Sequence, residues 1–115
     1  MFNSVGNVIA VLTTLLVMQL CVAEENQAIW IDVRTPAEYA SGHVQGAVNI
    51  EFQLVADKIA EITDNKTADI RLYCRSGRRS SVAKESLTKL GYENVSNEGG
   101  YAAALVAYKN GRSSP

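Results

Sequence analysis

Apolar and polar positions along this chain switch between two periods, and the switches mark the elements. "AIWIDV" (Ala28–Val33) is a near-continuous apolar, β-branched run ending in Asp32; it predicts a strand buried on both faces, as in a parallel sheet. "TPAE" follows, with Thr35 as N-cap, Pro36 at the first helical position and Glu38 as reciprocal partner of a capping box. That predicts a short helix through Tyr39, stopped at Gly42. A second strand is expected at Ala47–Ile50. From Gln53 to Ile62 the residues Leu54, Val55, Ile59 and Ile62 fall at helical spacing. After the polar loop "TDNKTAD", "IRLYC" (Ile70–Cys74) alternates into a third strand. Val82, Ala83, Ser86, Leu87 and Leu90 then predict one face of the next helix, with Gly91 as its C-cap. "ENVSNEGG" predicts a last short strand with a Gly99-Gly100 loop, "YAAALVAY" (Tyr101–Tyr108) a short helix, and "KNGRSSP" a frayed polar tail.

Strands and helices therefore alternate, which predicts a small α/β domain with a mainly parallel central sheet and helices on both faces. In such sheets ligands bind beyond the carboxyl ends of the strands. Asp32 and Cys74 both end predicted strands, so both are expected at that crevice.

Composition narrows the class. The chain has 115 residues, 47% hydrophobic and 20% charged, enough for one globular core. A net charge of −1 gives no general attraction to nucleic acid or acidic lipid. "RSGRR" is compact and has no interleaved aromatics, so no nucleic-acid partner is expected. The apolar run Val8–Ala23 ahead of Glu24-Glu25 reads as a secretory signal peptide cleaved after Ala23. It is short for a membrane-spanning helix, which needs roughly 20 apolar residues, so a signal retained as an anchor is the weaker alternative. Residues 24–115 are then the mature domain, expected to be periplasmic, monomeric and without a stable membrane anchor. Cys21 leaves with the signal, and Cys74 becomes the one thiol of the mature chain. A lone thiol in an oxidising compartment calls for a reason.

The reason lies in "YCRSGRRSS". Arg75, Arg78 and Arg79 crowd the cysteine, with Ser76, Gly77 and Ser80 among them, between a strand end and a helix start. Backbone N–H groups of such a loop can curl around the sulfur while the helix dipole adds positive potential. Beside cations at a helix N-terminus a cysteine pKa falls from about 8.5 to roughly 3.5–7.5. Gly77 lets the backbone take a positive φ, and the arginine forks suit oxyanions. The chemistry expected is a thiolate attacking an anionic substrate: a phosphate or arsenate ester, or a sulfur oxyanion. The tyrosine-phosphatase cradle has arginine six residues after its cysteine; here that position is Ser80, and Arg79 comes one residue early. Sulfur transfer, which needs capture of a single terminal sulfur, fits the shorter loop better.

"IDVRTPAEYASGHVQGAVNI" followed by "LYCRSGRRSSVAKESLTKLGYENVSNEGGY" resembles the single-domain rhodaneses, and with its signal peptide the chain is most similar to their exported, phage-shock-type branch. The resemblance spans nearly all of the mature chain; Glu51 departs from it, where many relatives have proline. It implies a rhodanese fold and a two-step cycle at Cys74: the thiolate takes the outer sulfur of thiosulfate, releasing sulfite, and passes it from a persulfide to cyanide or a thiol acceptor. It implies neither metal nor organic cofactor, and one histidine with one mature cysteine makes no standard zinc site. A phosphatase-like or arsenate-reductase-like enzyme and a non-catalytic persulfide carrier stand as alternatives.

Around this nucleophile, Arg75, Ser76, Gly77, Arg78, Arg79 and Ser80 are expected to bind substrate; Asp32 is either a turn-capping carboxylate or, the favoured reading, a partner that holds a loop arginine from behind. His43 is assigned a turn or packing role, and Arg34 and Glu38 are read as surface or helix-start charges. Trp30, Tyr39, Tyr73 and Tyr92 are expected in or near the core, with Tyr101 and Tyr108 open to a place at the crevice rim.

Overall fold

The computed structural model describes residues 27–113; the signal-peptide reading lies outside them. Strand β1 (Ile29–Asp32) leads into helix α1 (Pro36–Ala40) and the two-residue β2 (Val48–Asn49). A 3-10 turn (Phe52–Leu54) runs into α2 (Val55–Ile62), followed by β3 (Ile70–Cys74), α3 (Arg78–Lys89), β4 (Val95–Gly100) and α4 (Tyr101–Ser113). The sheet order is β2-β1-β3-β4 and every pairing is parallel.

Strand alternation sorts the apolar residues into two layers. Ile31, Ile70, Leu72 and Cys74 face α2 and α3, where they meet Val55, Ile59, Ala83 and Leu87. Trp30 and Tyr73 face the other way, against Ala104 of α4 and against Val44 and Ala47. Each fully buried aliphatic side chain contributes about 1.5–3 kcal/mol by leaving water. That two-sided burial is why β1 reads as a continuous apolar run.

Helix α1 buries no residue completely and is too short to persist on propensity. The capping box fixes it: Glu38 N–H donates to Thr35 Oγ1 at 3.3 Å, and Thr35 N–H to Glu38 Oε1 at 3.1 Å. Tyr39 OH donates to the Ala47 carbonyl at 2.7 Å, and His43 stacks on Tyr39 with ring centroids 3.7 Å apart. His43 thus packs in a turn.

Three expectations need correction. The α3 stripe is narrower than the spacing predicts: Ala83 and Leu87 are buried, whereas Val82 and Leu90 are each 44% exposed. Gly99 and Gly100 belong to β4 itself rather than to a loop after it. The "KNGRS" tail continues α4 to Ser113, since a nucleated helix adds a hydrogen bond for each residue it fixes.

Candidate active site

Strand β3 delivers Cys74 to the carboxyl edge of the sheet, and a short loop later α3 begins. Gly77 stands at the helix N-cap with φ +91°, in the left-handed region where a Cβ would be strained. This turns the loop inward, and Gly77 N–H donates to Cys74 Sγ at 2.9 Å. Ser80, in the first turn of α3, lies with its Oγ 3.5 Å from the sulfur. Burial pushes the thiol pKa up, but the Ser80 hydroxyl and the N–H groups of Ser80, Ser76 and Gly77 outweigh it and bring the value to about 7. Inert burial of a small hydrophobe accounts for the full burial of Cys74 and its place in the apolar cluster, but not for this ring of donors.

The thiolate should therefore become the major form above pH 7. Titration of its ultraviolet absorbance is expected to give a midpoint near 7, against about 8.5 for an unperturbed cysteine. A midpoint at the ordinary value would mean that the donors do not act on the sulfur.

The three arginines take two kinds of place around the loop. Arg75 and Arg78 are exposed and make none of the hydrogen bonds that lower the Cys74 pKa. Arg79 feels the sulfur's charge, but its fork closes on Glu38, Nη1 to Oε1 at 2.9 Å and Nη2 to Oε2 at 3.1 Å. This pair holds the Glu38 carboxyl well below the usual range, at about 2. Glu38 is thus more than a helix-start charge: it ties α1 to the first turn of α3.

Asp32 caps the turn that follows β1 and does not hold a loop arginine. Its carboxylate accepts from Arg34 Nε at 2.9 and 3.1 Å and from Nη2 at 2.7 Å, and from the Arg34 backbone N–H at 2.9 Å. Nor is Arg34 a surface charge. It is 5% exposed, with its guanidinium carbon 5.6 Å from the Tyr73 ring centroid and 4.7 Å from that of Tyr101. Asp32 and Arg34 are two residues apart at the end of a strand, a spacing that puts side chains on one side. Tyr101 and Tyr108 pack into this layer, on Tyr73 and Trp30 respectively, rather than at the cysteine.

One wall of the cysteine loop comes from β4, which the sequence pattern does not point to. The β3–β4 register runs Leu72 with Asn97 and then Cys74 with Gly100, so β4 carries one extra residue, a bulge. It brings Gly100 so close to the loop that a Cβ there would stand 2.5 Å from the Arg75 carbonyl oxygen. Asn97 reaches the same loop, with Nδ2 donating to the Gly77 carbonyl at 2.8 Å and Oδ1 accepting from Ser80 Oγ at 2.7 Å. The "N-x-G-G" sequence, an amide side chain ahead of two glycines, is the available signal.

Comparison with known proteins agrees with this architecture. A family model described as a rhodanese-like domain matches residues 19–105. Thiosulfate sulfurtransferase PspE of Escherichia coli (strain K12) is 46% identical over 71 residues, which are 62% of this chain and 68% of that one. A sulfurtransferase of Allochromatium vinosum is 37% identical over 75 residues, 65% of this chain and 68% of that one. A solved structure described as rhodanese with anions from E. coli superposes with a TM-score of 0.65 at 43% identity, covering 67% of this chain and 91% of that one.

Proposed function

We propose, from the premise that this chain belongs to the rhodanese-like domain family, that it is a sulfurtransferase drawing sulfane sulfur from thiosulfate through a persulfide on Cys74. The observation that carries the reading is the donor ring at the sulfur, with Gly77 N–H at 2.9 Å. Thiosulfate sulfurtransferase relatives support the reaction class.

In the first half-reaction the Cys74 thiolate attacks the outer sulfur of thiosulfate. A Cys74 Sγ–S bond forms, the S–S bond of thiosulfate breaks, and sulfite leaves with the bonding electrons. In the second, cyanide or a thiolate attacks the outer sulfur of the persulfide and Cys74 leaves as the thiolate. No external oxidant or reductant enters, and covalent catalysis of this kind gives ping-pong kinetics. The N–H groups that hold the thiolate hold it again as leaving group. Exposed Arg75 and Arg78 and the start of α3 draw the dianion to the loop.

The apolar run Val8–Ala23 supports export as part of the same proposal. A phosphatase-like reaction is disfavoured by Ser80 at the sixth position and by the closure of Arg79 on Glu38.

Incubation with thiosulfate in the absence of acceptor is expected to add one sulfur atom to the intact protein and to release an equal amount of sulfite. Protein whose thiol has first been alkylated should do neither. No adduct on a verified free thiol would remove thiosulfate as donor. Sustained sulfite release once cyanide is added distinguishes an enzyme from a persulfide carrier, which would stop after one turnover.

A further inference from the structure

Ser80 has one hydroxyl hydrogen and three acceptors around it: Asn97 Oδ1 at 2.7 Å, the Gly77 carbonyl at 3.1 Å and Cys74 Sγ at 3.5 Å. The orientation of the Asn97 amide follows from its other partners. Gly99 N–H can only donate, and it meets Oδ1 at 2.9 Å; the Gly77 carbonyl can only accept, and it meets Nδ2 at 2.8 Å. Asn97 Oδ1 therefore has no hydrogen to offer, and the shortest of the three contacts makes Ser80 its donor. The Gly77 carbonyl is already served by Asn97 Nδ2 and by Ser81 N–H at 3.0 Å.

With its hydrogen on Asn97, Ser80 presents a lone pair to the sulfur. That suits a protonated Cys74, whose S–H can donate to Ser80 Oγ. A thiolate has no hydrogen to give and gains from the reverse arrangement, with Ser80 O–H turned onto Sγ. We propose that Asn97 is a positioning residue for the Cys74 nucleophile: it keeps the Ser80 hydroxyl hydrogen on its own Oδ1, so that loss of the thiol proton is coupled to a swing of that hydrogen from Asn97 to the sulfur. This deepens the reading of Cys74 as nucleophile and rests on it. It is read on the thiol itself, so its failure is distinguishable from a failure to form the persulfide.

The charged neighbours do not supply this coupling. From α3, Arg79 acts on the sulfur while bound to Glu38 of α1, and Arg78 is exposed, as is Arg75 in the loop. At the end of β1 and just beyond it, Asp32 and Arg34 are paired with each other. From β4, Glu98 accepts from Ser96 Oγ at 2.8 Å. The 52–62 segment packs against the cluster holding Cys74 through Phe52, Leu54, Val55 and Ile59.

The test is a thiolate absorbance titration of the full chain, of Asn97→Ala, of Ser80→Ala and of the double variant. Loss of Asn97 also loosens the loop, but it does so whether or not the Ser80 hydroxyl is present, and comparing the two backgrounds cancels that effect. Asn97→Ala is expected to place the midpoint lower, relative to its parent, with Ser80 present than in the Ser80→Ala background, by about half to one pH unit. Equal displacements in the two backgrounds, or a lower midpoint in the Ser80→Ala one, would overturn the proposal. Should Asn97→Ala fail to fold, Asn97→Asp serves with the opposite sign. Its carboxylate is a stronger acceptor for the Ser80 hydrogen and should raise the midpoint more with Ser80 present than after Ser80→Ala; an equal rise in both would again overturn it.

Discussion

Arg34→Ala is expected to destabilise the domain by about 3–5 kcal/mol, the range found when one partner of a buried ion pair is removed. The Asp32 side chain is 0% exposed and that of Arg34 6%, so the carboxylate left behind is a buried charge without its counter-ion. It would retain the backbone N–H of residue 34 and lose three side-chain hydrogen bonds at 2.7, 2.9 and 3.1 Å. The same substitution frees the Gly42 carbonyl, which accepts from Arg34 Nη2 at 2.6 Å, and empties the slot beside Tyr73 and Tyr101. Small domains have about 5–15 kcal/mol in total, so the variant should unfold at much lower denaturant concentration. Urea unfolding with an unchanged slope measures this. The cause is separable: Asp32→Asn combined with Arg34→Ala should cost less than Arg34→Ala alone, because the stranded charge is gone. A loss under about 1 kcal/mol would mean that the pair behaves like a surface salt bridge.

That network marks the limit of what the sequence shows by itself. Strands β1 and β3 are legible because burial on two faces leaves few polar positions, and the α1 start is legible because a capping box is a local pattern of four residues. The donor loop around Cys74 is legible for a similar reason: a cysteine between a strand end and a helix start, with a glycine three residues on, constrains where N–H groups point. What escapes depends on pairings distant in sequence. Glu38 and Arg79 are 41 positions apart, and Asn97 and Gly77 are 20 apart, so no local period signals them. The consequence lies in how the two expected causes are weighted. Backbone N–H donors and cations are both legible in the loop, but the Ser80 hydroxyl and the N–H groups are what lower the thiol pKa most, and the arginine that does feel the sulfur, Arg79, has its fork occupied by Glu38. Arg34 is misread for a different reason: a charge next to a helix start is usually solvated, and burial becomes tolerable here only because Asp32 matches it.

Gly100→Ala should separate chemistry from folding. Its Cβ would lie 2.5 Å from the Arg75 carbonyl oxygen and 3.3 Å from the Arg75 carbonyl carbon, both backbone atoms that cannot rotate away. Ordinary contact distances then require the loop, the bulge or both to shift by on the order of 1 Å. The loop carries Gly77 N–H, whose 2.9 Å bond to Sγ cannot survive a displacement of that size intact. A misplacement of about 1 Å can cost roughly 100-fold in rate, and sulfite release from thiosulfate is expected to fall by about that factor. The thiolate midpoint should rise from about 7 at the same time, because a donor to the charged form has been drawn off. Overpacking of this kind costs about 1–3 kcal/mol, so the variant should remain folded at moderate temperature. Gly46→Ala supplies the control: its φ is +84°, so alanine is strained there, yet nothing lies within 4 Å of the added Cβ. It should lose about 1–2 kcal/mol of stability while sulfite release and the thiol midpoint hold. If the two variants lost activity in proportion to stability, the approach of β4 to the cysteine loop would matter for folding alone.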